Sequence, residues 1–193
     1  KEVRMPGAPV PVRELKVDSL PIAVYASEEA MGLAAALAAR EALAAAIRER
    51  GEANVILATG NSQLAFLHAL RALDGIDWRH VRAFHMDEYL DLPQGHRASF
   101  PRFLREHFVS HVPLGEFHPI PSGEAAQAEA ICRDYEALLR AHPADLVALG
   151  WGENGHLAFN DPPYASFTEP RWVKVIELAE ASRRQQVGEG HFP

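Results

Sequence analysis

Residues 54–73 read NVILATGNSQLAFLHALRAL. NVILA is a near-continuous apolar run of the kind that fits a strand covered on both faces, TGNS breaks it, and 63–73 carries the apolar spacing of a helix. Strand, glycine-bearing turn and helix in that order are the unit of a parallel α/β sheet. The rhythm repeats downstream. VRAF at 81–84 reads as a strand, DEYLDLPQGHRA at 87–98 as a loop and 100–108 as a helix. A helix over 125–141 then leads into the strand-like DLVALG at 145–150, with WVKVIEL at 172–178 as a further strand. Upstream, the apolar run at 22–25 precedes a long helix, with Ser27 as its cap, Glu28 and Glu29 in its first turn and Gly51 past its end.

The pattern predicts an α/β fold: a doubly wound, mostly parallel sheet with helices on both faces, Rossmann-like, forming one domain over 1–193. In such sheets ligands sit outside the carboxyl ends of the strands. Three of those ends carry unusual polar clusters: TGNS at 59–62, HMDEY at 85–89 and GWGENGH at 150–156. The fold therefore predicts that the three clusters meet.

Composition narrows the partners. A single cysteine, Cys132, allows no intrachain disulfide and fits a reducing, cytoplasmic setting. A net charge of -7 with no run of Lys and Arg argues against nucleic acid. No signal-peptide core opens the chain, and Arg40, Glu41 and Arg48 interrupt the alanine-rich stretch, so no membrane partner is expected. An anionic ligand would have to be held by local dipoles and a few cations against the global field.

Each cluster has a bland reading beside its chemical one. Thr59, Gly60, Asn61 and Ser62 can cradle a phosphate on free helix-start amides, or form an ordinary capped turn. Asp87 and Glu88 can place a sheltered general base at a strand end, or be solvated loop acids. His156 can exchange a proton near neutral pH with Asp161 near enough to orient it, or be structural. Gly150, Gly152 and Gly155 spell GxGxxG, with Glu177 at the spacing of a ribose-binding acid. Pro162 and Pro163 leave no room for the helix a dinucleotide site needs. His107 and His111 have i,i+4 metal-ligand spacing without a third ligand, so no metal is expected.

With these residues in view the chain resembles the glucosamine-6-phosphate deaminase/isomerase family. VILATGNSQLAFLHAL resembles that family's phosphate-loop segment, VRAFHMDEYLDLPQGHRASFPRFL its catalytic-acid segment and LVALGWGENGHLAFNDP its histidine segment. The resemblance implies a cofactor-free enzyme that opens an amino-sugar 6-phosphate ring, moves a proton between C2 and C1, and releases a ketose phosphate and ammonia. By position Asp87 matches the proton-shuttling base and His156 the ring-opening histidine. Asn154 falls where members carry Asp or Asn, and Asp161 replaces a Glu that supports the histidine. The 59–62 backbone, with Glu88 and Gly155, completes the expected substrate contacts. Asp161 is one methylene short of that Glu, so its contact with His156 is expected to need a water or a shifted loop. PPYASFTEPRW lacks the family's Ser-Arg-Thr stretch. The chain stops before the family's last strands and a phosphate-contacting lysine, so its C-terminal portion is expected to be lacking, with Arg183 the nearest basic substitute. A 6-phosphogluconolactonase-like hydrolase and a non-catalytic sugar-phosphate sensor are the competing expectations. Homo-oligomerisation is left open.

Overall fold

A computed structural model of the chain describes residues 7–93, 95–152 and 154–188. The first strands, β1 (Arg13–Val17) and β2 (Leu20–Val24), form a separate antiparallel hairpin. The apolar run at 22–25 thus supplies a hairpin strand outside the parallel sheet.

Helix α1 (Glu28–Arg50) starts where Ser27 Oγ accepts the Ala30 N–H at 3.2 Å. It ends where Gly51, in the left-handed region, donates its N–H to the Ile47 carbonyl. By length and composition α1 could span a membrane, with a hydropathy of 1.5 over its most apolar stretch. Here its stripe of Ala36, Ala39, Leu43 and Ala46 is buried against the sheet and the next helix. Full burial of a leucine such as Leu43 contributes roughly 1.5–3 kcal/mol.

After α1 come β3 (Ala53–Leu57), α2 (Leu64–Ala72), β4 (Val81–His85), α3 (Phe100–His107), β5 (Glu116–His118), α4 (Ala128–Ala141), β6 (Leu146–Ala148) and α5 (Glu180–Gly188). The four strands β3 to β6 form a parallel sheet of order β5-β4-β3-β6. Ala53, Val55 and Leu57 of β3 and Val81 and Ala83 of β4 share one buried cluster with residues of α1, α2 and α3. On the opposite face Phe84 meets Tyr135 of α4 edge-on at 6.2 Å and stacks on His118 at 4.8 Å. Helices therefore cover both faces. The chain runs outward from β3 through β4 to β5, then returns to lay β6 on the other side of β3, and that reversal is where a doubly wound sheet opens a crevice.

One expectation about strands fails, and one strand forms where none was expected. Residues 172–178 form no strand. The amides of Trp172 and Val173 donate to Glu136 of α4 at 3.0 and 3.4 Å, and Arg140 lies over the Trp172 ring at 4.3 Å, so side chains rather than a ladder hold the segment. The sheet instead gains β5, which at three partly exposed residues has no apolar run to announce it. Helix α5 was also unanticipated.

Candidate functional site

The Thr59–Ser62 turn leaves β3 beside the end of β6, where the Ala58 N–H donates to the Ala148 carbonyl at 2.9 Å. Gly60 adopts φ +98°, a region that side chains strain to enter, and its Cβ position faces open space. A 3-10 turn over Asn61–Gln63 then runs into α2. The first amides of that turn lie ahead of any helical partner, which is the arrangement that receives anions.

Asp87 is set by the end of β4. His85 is buried, and its Nε2 accepts the Ile120 N–H at 2.8 Å, which assigns the ring proton to Nδ1, 2.9 Å from the Asp87 carbonyl oxygen. Burial pushes the His85 imidazole down to about 4, so it stays neutral and clamps the backbone. Tyr135 reinforces the clamp: its hydroxyl oxygen accepts the His85 N–H at 3.0 Å, and its proton faces the His85 carbonyl at the same distance. Burial, and then the neighbouring Glu88 charge, push the Asp87 carboxyl up to about 7. A carboxylate poised there can take up and return a proton near neutral pH.

Glu88 points elsewhere. Its carboxylate accepts the Ser99 hydroxyl at 2.9 Å, the Tyr89 N–H at 2.8 Å and, more weakly, the Phe100 N–H at 3.5 Å. It ties the start of α3 to the end of β4. Burial raises its proton affinity, and those three donors act in the opposite direction.

His156 is held by side chains. Asn154 donates through Nδ2 to Asp161 Oδ1 at 2.6 Å, which turns Asn154 Oδ1 toward His156 Nδ1, also at 2.6 Å. The imidazole proton therefore sits on Nδ1 and leaves Nε2 as the basic nitrogen. Asp161 Oδ2 is 3.6 Å from His156 Nδ1, too long for a hydrogen bond. Ser182 of α5, fully buried, fills the gap: its hydroxyl donates to Asp161 Oδ2 at 2.9 Å and lies 3.4 Å from His156 Nδ1. The Phe159 ring stacks on the imidazole at 5.5 Å from a left-handed backbone (φ 55°). A Cβ on Gly152 would sit 2.1 Å from His156 Cε1, so only glycine lets the ring lie there. The GxGxxG spacing thus makes room for a histidine, and among the described residues from 150 to 179 no helix starts.

A cavity of about 200 Å³ joins these parts at the carboxyl ends of β3, β4 and β6. Thr59, Gly60, Asn61, Ser62, Asp87 and His156 line it. Asn154 and Asp161 stand behind His156, while Glu88 and Gly155 line an adjoining cavity of about 800 Å³ that Asp87 and His156 also border. The structure does not bring Arg183 in: it is exposed and pairs with Glu177 at 2.5 Å. Arg97, Gln185 and Gln186 occupy positions on the cavity wall that the sequence reading missed. Ser182, too, was missed, because a lone serine on a helix carries no pattern until its burial is known. Among the described residues no group of three or more His, Cys, Asp or Glu could hold a metal.

Fold and site together define a class: an α/β protein with a crevice at the sheet's switch point, lined by a glycine-bearing helix-start turn on one side and by an aspartate and a histidine on the other. Within that class the chain belongs to the family of glucosamine-6-phosphate isomerases and 6-phosphogluconolactonases, whose model matches residues 26–187. It is 35% identical over 140 residues to a glucosamine-6-phosphate deaminase of Bacillus cytotoxicus, covering 72% of this chain and 51% of the relative. A Bacillus cereus relative of the same name is 36% identical over 128 residues, 66% of this chain and 47% of the relative. The chain thus spans about half the length of the curated relatives it matches. Among solved structures, a monomeric glucosamine-6-phosphate deaminase superposes with a TM-score of 0.74 at 25% identity, covering 86% of this chain and 68% of that one. A 6-phosphogluconolactonase from Shewanella baltica gives 0.57 at 26% identity, covering 68% and 56%.

Proposed function

We propose that this chain carries the active site of an aldose-ketose isomerase that converts an amino-sugar 6-phosphate and water into a ketose phosphate and ammonia. The observation that carries the reading is the shared cavity of Asp87, His156 and the Thr59–Ser62 cradle. In this reading the cradle amides hold the 6-phosphate. His156 Nε2 shuttles the proton that opens the ring, giving a C1 aldehyde with the amine on C2. Asp87 takes the C2 proton and returns it to C1. The resulting C2 iminium adds water and expels ammonia. No step calls for a cofactor. The family's activity and the single cysteine support a cytoplasmic, small-molecule role, and we treat residues 1–193 as one sugar-phosphate domain within a longer family pattern.

Likeness to a 6-phosphogluconolactonase gives a second reading, hydrolysis of a sugar-phosphate lactone. That reaction moves no proton between carbons. An aspartate at the cavity wall with its carboxyl pushed up to about 7 favours the isomerase. The test is ammonia release and ketose formation across a panel of amino-sugar 6-phosphates, with 6-phosphogluconolactone alongside. Ammonia and ketose should appear together in equal amounts; acid from the lactone without ammonia from any amino sugar sinks the proposal.

A further inference from the structure

A phosphate monoester is close to a dianion at neutral pH, with a second pKa of about 6. The start of a helix offers roughly half a positive charge, and here the whole chain opposes it with a net charge of -7. A guanidinium is the side chain that meets phosphate with two parallel donors and a full charge. Arg183 and Arg184 are committed to Glu177 and Glu180. Arg102 pairs with Glu106. Among the described residues that line the cavity, Arg97 is the one lysine or arginine, and it pairs there with no described carboxylate.

The loop that carries Arg97 is fixed on both sides. Before it, Arg102 of α3 donates to the Gly95 carbonyl at 2.8 Å, and across it His96 Nδ1 accepts the Ala98 N–H at 3.1 Å. After it, Glu88 holds Ser99 and Phe100, and Glu88 is the immediate neighbour of Asp87. Arg97 is therefore carried on a loop tied to α3 and, through Glu88, to the residue next to Asp87.

We infer that Arg97 is the guanidinium that closes on the substrate's phosphate opposite the amides of residues 60–63, and that it sets the preference for phosphorylated over neutral sugars. The inference rests on the cradle proposed above and adds the charge which that cradle lacks. Because the Arg97 side chain is exposed, replacing it leaves the buried core intact.

The test is titration of the chain with inorganic phosphate, followed by amide NMR. In the wild type the amides of residues 60–63 should shift and saturate. Arg97→Gln should shift the same amides but bind roughly 10- to 100-fold more weakly, the range for a charged hydrogen-bonding group. Arg97→Lys should fall between, and Arg183→Gln should bind as the wild type does. Unchanged affinity in Arg97→Gln, with the amide shifts intact, overturns the role of Arg97 and leaves the cradle standing. Absence of shifts at 60–63 in the wild type overturns both.

Discussion

Asp87 and the Thr59–Ser62 turn hang directly from β4 and β3, whereas His156 lies in a segment, 149–179, in which the described residues form no strand or helix. On the first wall the strands do the placing, with the buried His85 and Tyr135 side chains clamping the short stretch from β4 to Asp87. β3 and β4 are paired in register from Ala53 against Val81 to Leu57 against His85, and the residues beneath, from Val55 and Leu57 to Phe84 and His85, are buried. On the second wall three side chains do it: Asn154 links His156 to Asp161, and Ser182 reaches back from α5 to close the set. The contrast teaches where the site tolerates change. A ladder-held residue keeps its place when its own side chain is altered, while a residue held by partners loses its place when any partner is shortened.

The sharpest way to break this comparison is Asp87→Asn, which keeps the shape and removes the base. Turnover in the ammonia assay should fall by about 10²- to 10⁴-fold with KM little changed, because the proposed phosphate cradle follows another strand. Stability should move the opposite way. A carboxyl whose folded value is raised from 3.8 to about 7 contributes stability that is fully present below pH 3.8 and is lost as pH rises through 7. Asp87→Asn should therefore unfold in urea like the wild type at low pH, yet be more stable at pH 8, by on the order of 1 to 4 kcal/mol. A loss of stability at pH 8 would show that the carboxylate is part of the scaffold.

The second wall is tested by Ser182→Ala, which deletes one hydroxyl outside the cavity. If side chains alone hold His156, kcat should drop about tenfold while phosphate affinity stays level, and Ser182→Thr should restore most of it. Equal losses in kcat and phosphate binding would mean that α5 had shifted as a body.

The smallest effect is expected from Glu88→Gln. The amide still offers an oxygen to Ser99, but it removes the charge that helps to raise Asp87. The acid limb of the kcat profile, set near pH 7 by Asp87, should move to lower pH, so the variant keeps roughly a few-fold more of its maximal rate at pH 6. A limb that stays in place assigns the raised Asp87 value to burial alone.

The strand-turn-helix rhythm was legible because it depends on local spacing: the runs at 54–58, 81–84 and 145–150 are apolar enough to read as buried strands, and the three polar clusters fall at their ends. The 172–178 segment shows the limit of that reading. Its residues suit a strand, yet β6 pairs with β3 and not with this segment, because Glu136 and Arg140 of α4 offer Trp172 and Val173 other partners. β5 fails the other way, recruited beside β4 with too few residues to show any period.

By itself, then, the sequence determined the α/β class, the order of its main elements, and the turn, acid and histidine that meet in one crevice, since strand ends on one edge of a parallel sheet must lie together. Only the tertiary structure decided which polar groups serve which partner. Glu88 and Asp87 are adjacent acids with the same local signal, but one clamps α3 while the other is desolvated at the cavity wall. Arg97 and Arg183 carry the same side chain, but one lines that cavity and the other is spent on Glu177. Charge, burial and hydrogen-bond assignment are set by neighbours distant along the chain, and local spacing carries no record of them.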